Sequence, residues 1–96
     1  MEIRTQVEPL KGIMSAIAID LNANNIAHFA DCYKVEHKPC ASLFEPINGN
    51  PFVNVINIED KTVTRHTFKP INVESGTDKL RARILAERFF NQVAAA

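Results

Sequence analysis

Ninety-six residues, 46% of them apolar, suffice for one domain with one core and are too few for two that would each be stable alone, so a single globular unit over residues 1–96 is expected. Three glycines, five prolines and no repeated period argue against a linker, a disordered arm or a solenoid. Formal charge is zero but uneven: residues 1–60 carry 4 − 8 = −4 and residues 61–96 carry 7 − 3 = +4, counting Lys and Arg against Asp and Glu.

The first predicted element is a strand. Ile3, Thr5 and Val7 alternate with Glu2, Arg4, Gln6 and Glu8, the period of a half-buried strand. From Pro9, suited to a first helical turn, Leu10, Ile13, Met14, Ile17 and Leu21 fall on one helical face, which favours a helix over 9–21. Ile13, Ser15, Ile17, Ile19 and Leu21 also alternate, so a strand paired with residues 1–8 is the rival reading. Asn22 to Asn25 supply capping side chains for a short helix over about 25–35 with the stripe Ile26, Phe29, Ala30 and Tyr33, ended by Pro39.

Strand patterns return with Ala41–Ile47, Asn48-Gly49 gives a hairpin signal, and Phe52–Glu59 is the clearest strand. A three-residue loop before Val63–Lys69 puts Phe52, Ile56, Ile58, His66 and Phe68 on one face and Asn57, Glu59, Arg65 and Lys69 on the other. Ser75 and Asp78 stand in capping-box spacing and open a long helix whose arc Ala82, Leu85, Ala86, Phe89, Phe90 and Val93 is expected against the sheet. The fold class expected is α+β: a mainly antiparallel sheet of three to four strands, helices packed on one side and a long C-terminal helix.

Both cysteines and two of the three histidines fall in one run: His28, Cys32, His37 and Cys40. Four N and S ligands within thirteen residues raise a zinc site, since zinc takes such donors in a tetrahedron, but the spacing fits no standard finger and requires a sharp fold-back after a helix. Ordinary packing of a small apolar thiol and surface histidines accounts for the run more simply, with both cysteines as thiols. A Cys–His nucleophile, His28 with Cys32 or His37 with Cys40, lacks an orienting partner and an oxyanion site. No phosphate-binding glycine loop, nucleophile elbow or paired helical metal carboxylates occur, and a non-enzyme without cofactor is expected.

Leu80 and Ile84 lie off the main arc of the last helix, among Arg81 and Arg88. An apolar pair rimmed by arginine resembles the centre of a protein interface, and with Arg65 and Lys69 these residues form the expected partner-binding set. The function expected is that of a small non-catalytic protein that binds a protein partner or itself, as adaptors, immunity proteins and inhibitors from mobile elements do. The alternative is nucleic-acid binding through the basic last hairpin and helix, opposed by neutral total charge and few aromatic residues suited to stacking on bases; a small zinc domain is the second alternative. No stretch reaches the roughly 20 apolar residues of a membrane span and the opening residues lack a signal-peptide pattern, so a cytoplasmic protein is expected.

Overall fold

The computed structural model describes residues 1–9 and 32–95. Within them the chain forms strands β1 (Glu2–Pro9), β2 (Cys32–Lys38), β3 (Ala41–Pro46), β4 (Phe52–Asn57) and β5 (Thr62–Lys69), followed by helix α1 (Gly76–Ala95). The strands make one antiparallel sheet in the order β1-β5-β4-β3-β2, so the fold is α+β with five strands rather than three to four. The helix or strand expected over 9–21 and most of the short helix over 25–35 lie outside the described residues.

Cys32 to Val35, expected at the end of that short helix, are instead part of β2. Cys, Tyr and Val are better strand than helix formers, and the stretch pairs with β3 across the two-residue turn Pro39-Cys40, with Lys38 opposite Ala41. Reading Pro39 as a helix stop overlooked its equal aptness for a hairpin turn. The β3–β4 loop contains Gly49 at φ 130°, a backbone conformation open to glycine and strained for other residues.

The β4–β5 loop differs by one residue from expectation. Asn57 opposes Thr62, leaving four residues, Ile58 to Lys61, in the loop, with Lys61 at φ 55°. The Asn57 side chain builds this turn: its Oδ1 accepts from the Asp60 amide and its Nδ2 donates to Asp60 Oδ2, both at 3.0 Å. The extra residue slips the register, so Phe52 and Ile56 lie on the face away from His66 and Phe68, contrary to the expected pattern. Separation of polar from apolar residues misleads here because the middle of the sheet is buried on both faces: Ala41 to Glu45 are all covered.

One face packs against α1. Ala41 and Leu43 from β3, Val53 from β4 and Phe68 from β5 meet Ala82, Ala86 and Phe90, with Leu85, Phe89 and Val93 around them, so the expected helical arc is the one that lies on the sheet. Alanines at 82 and 86 let the helix backbone come close. The opposite face buries Ser42, Phe44, Asn54, Ile56 and Val63. There Phe44 stacks on Phe52 at 4.8 Å, and Arg65 lies 4.3 Å above the Phe52 ring while its Nε donates to Asn54 Oδ1 at 3.0 Å.

Ser75 caps α1 as expected. Its Oγ accepts from the Asp78 amide at 3.2 Å and its carbonyl from the Lys79 amide at 3.0 Å. The Asp78 carboxylate does not return to Ser75, as a full capping box would have it; it accepts from the Asn72 amide at 3.2 Å and ties the β5–α1 connection to the helix. Ser75→Ala is expected to lower stability by about 1 kcal/mol, measured by urea unfolding.

Candidate partner-docking surface

Helix α1 has three flanks in addition to its buried stripe. Toward β2 and β3, Arg83 Nε donates to Glu45 Oε1 at 3.1 Å and Lys34 Nζ reaches Glu87 Oε1 at 3.1 Å. Toward β5, the Phe89 ring tilts against His66 at 4.7 Å and Phe68 at 5.8 Å. Burial under this contact pushes the His66 pKa down, which favours the neutral ring. The third flank faces outward and carries Leu80, Arg81, Ile84 and Arg88, all exposed.

Leu80 keeps 52% and Ile84 44% of its surface open, and a spacing of four puts them side by side on the helix. Leu80 also forms one wall of a cleft of about 440 Å³, closed by Pro46 and Ile47 of the β3–β4 loop, Pro70 and Val73 of the β5–α1 connection, and Arg83. Ile47 and Val73 are themselves exposed, and so is the nearby Ile71. The second half of α1 is held down by charge and rings, whereas its first half and the two loops leave an apolar hollow with Lys79 on its lining and Arg81 exposed nearby. A cleft of this size with mainly apolar walls and a few charged groups has the form of a recognition site.

Beneath the β2-side flank lies a carboxyl pair the sequence did not signal. Glu45 is fully covered, its Oε1 held by Arg83, while no donor reaches its Oε2. Burial pushes the Glu45 pKa up; Arg83 pulls it down, and the Glu87 carboxyl beside it pushes it up again. Burial also acts to raise Glu87, but hydrogen bonds with Lys34 and Glu45 outweigh it and hold Glu87 below its ordinary value. Burial and the neighbouring Glu87 thus favour the protonated form of Glu45, while Lys34 favours the ionised form of Glu87.

Arg65 and Lys69, grouped with Leu80 in the expected partner-binding set, are not brought to it. Both alternate with His66 and Phe68 along β5 and face away from α1, Arg65 being held on Phe52 and Asn54. Positive charge clustered in the sequence is thus divided between two sides of the sheet. The comparisons with known proteins return no match: no family model fits the chain, and no curated protein or solved structure is similar to it.

The proposed zinc ligands are not gathered among the described residues. Cys32 opens β2 and His37 lies five residues along it, about 16 Å away at strand rise, with Cys40 beyond in the turn; His28 lies outside the described residues. Neither Cys32 nor Cys40 forms a disulfide. Among the described residues no three His, Cys, Asp or Glu side chains are close enough to hold a metal ion. His37 pairs instead with Ser42 on the opposing strand, Nδ1 to Oγ at 2.6 Å, and Ser42 is covered. Among the described residues no helix is long and apolar enough to cross a membrane.

Proposed function

We propose that this chain is a non-catalytic binding protein of the adaptor or inhibitor type. It docks a protein partner through the outward flank of α1 and the adjoining cleft. The observation that carries this reading is the exposure of Leu80 and Ile84 beside a hollow walled by Ile47 and Val73. An apolar side chain of the partner fills the cleft, and carboxylates around it meet Lys79, Arg81 and Arg88, which gives an apolar centre with a charged rim. Division of the basic residues between the two sides of the sheet favours this over nucleic-acid binding, which draws on one continuous basic surface.

Charge reversal tests the reading. In affinity capture from the source cell after nuclease treatment, Arg81→Glu with Arg88→Glu is expected to lose the protein that the wild type retains, whereas Lys69→Glu on the other side of the sheet is expected to keep it. Equal loss by both variants, or disappearance of all binding after nuclease, would contradict it.

A further inference from the structure

Among the described residues the two edges of the sheet are built differently. Edge strand β2 carries a register shift between Cys32 and Lys34 and the polar run Lys34, Glu36, His37 and Lys38, features that discourage pairing with another strand. Edge strand β1 carries no register shift, and its charged residues Glu2, Arg4 and Glu8 lie on the face opposite Ile3, Thr5 and Val7. It runs eight residues, pairs continuously with β5, and has its proline only at the last position. Every residue of it is exposed, including Ile3 at 53% and Val7 at 62%.

The hydrogen-bond phase of β1 follows from its neighbour. The Phe68 amide donates to the Pro51 carbonyl, on the β4 side, so even-numbered residues of β5 point their main-chain groups at β4 and odd-numbered ones at β1. Lys69, Thr67, Arg65 and Val63 oppose Glu2, Arg4, Gln6 and Glu8, which therefore use their amides and carbonyls inward. Those of Ile3, Thr5 and Val7 point outward, where no described strand meets them. The same three residues oppose Phe68, His66 and Thr64, so their side chains lie on the α1 face. Helix α1 packs over β3, β4 and β5 and leaves this row open.

We infer that β1 pairs with β1 of a second copy of this chain, antiparallel about a two-fold axis at Thr5. Only an even register keeps both copies' apolar residues on one face, and centring on Thr5 sets Ile3 opposite the second copy's Val7, Thr5 opposite its own counterpart and Val7 opposite Ile3. Each of these three pairs exchanges two main-chain hydrogen bonds, about six in all, and joins the sheets into one of ten strands. β-Branched pairs and a Thr–Thr pair are favoured across antiparallel strands. On the other face Arg4 meets Gln6 with Glu8 diagonal to it, while Glu2 opposes Glu8, a like-charge pair that the Glu2–Arg4 ion pair at 3.5 Å softens. The flank of α1 proposed for the partner is untouched, so both associations coexist.

Sedimentation equilibrium on the whole chain tests the inference. The wild type is expected at twice its 10.7 kDa mass. Thr5→Pro, which removes an amide that no described strand uses, and Ile3→Lys with Val7→Lys, which sets lysines opposite each other at exposed positions, are each expected to sediment as monomers with unchanged far-UV circular dichroism. The lysine variant keeps the test decisive where the proline variant fails to fold. A wild type that stays monomeric at millimolar concentration, or a dimer that survives the lysine pair, overturns the proposed pairing.

Discussion

Phe90→Ala is expected to destabilise the protein by about 3–5 kcal/mol, the largest effect of any single substitution considered. Phe90 is fully buried in the cluster where Ala41, Leu43, Val53 and Phe68 meet the helix, and its neighbours on α1 are Ala82 and Ala86. Neither alanine can extend into the space a missing ring leaves, so the cavity term adds to the lost transfer energy. Domains of this size have a stability of about 5–15 kcal/mol, so a large share of it is at risk. Urea unfolding should show a lower midpoint with an unchanged slope. By contrast, Ile84→Ala on the same helix should shift stability by about 0.5 kcal/mol or less, because that side chain remains half open to solvent. Equal costs at the two positions would mean that the helix packs on both its sides.

The second large effect comes from the covered acid. Arg83→Met removes the donor on Glu45 Oε1 and is expected to cost about 2 kcal/mol at neutral pH, a figure held down by the partial exposure of the guanidinium. The cost depends on pH in a defined direction. Glu45 has its pKa raised by burial, so the stability it contributes is fully present below the unfolded carboxylate value and is lost as pH rises through the folded value. Glu87 is lowered, so its contribution is present above the unfolded value and lost as pH falls through the folded one.

Without Arg83 the main influence opposing the rise of Glu45 is gone, and the penalty for ionising it grows with pH. The variant should therefore lie close to the wild type in mild acid and fall away toward neutrality. Adding Glu45→Gln should recover most of the loss, since the amide is neutral at every pH and so carries no ionisation penalty when buried. Melting temperatures of the three proteins between about pH 4 and 8 measure this. A pH-independent gap between Arg83→Met and wild type, or no recovery on adding Glu45→Gln, would show that Arg83 acts by packing alone.

Much of the sheet was readable where one local rule applied. The strand over Ile3, Thr5 and Val7, the β3–β4 connection at Asn48-Gly49 and the Ser75 cap each depend on a few neighbouring residues and are present, although β1 is exposed throughout where a half-buried strand is expected and Asn48-Gly49 lies in a loop longer than a two-residue turn. The pairing of β4 with β5 did not yield because its register rested on separating polar from apolar residues, and a strand buried on both faces has no polar side to separate. β2 was missed for a related reason: at an edge it has few buried side chains, and its partnership with β3 outweighs a weak local pattern.

The candidate site was readable in part. Leu80 and Ile84 declared themselves by falling outside the helical arc that faces the sheet. Arg65 and Lys69 were assigned to the same surface because they stand near it in sequence, but alternation along β5 turns them to the far side. The cleft is assembled from segments some thirty residues apart, Pro46–Pro51 and Pro70–Leu80, and no local pattern records that they meet. Glu45 gave no signal either, since its partner Arg83 lies 38 residues away.

The most direct measurement of the proposed docking surface is made on Leu80→Asp with Ile84→Asp, taking unfolding free energy and captured partner from one preparation. The expected result is a fold whose stability stays within about 1 kcal/mol of wild type, as two half-exposed positions allow, together with loss of the protein the wild type captures. A variant that unfolds, or one that folds and still holds the same protein, would contradict the claim that this flank of α1 is kept open for another molecule.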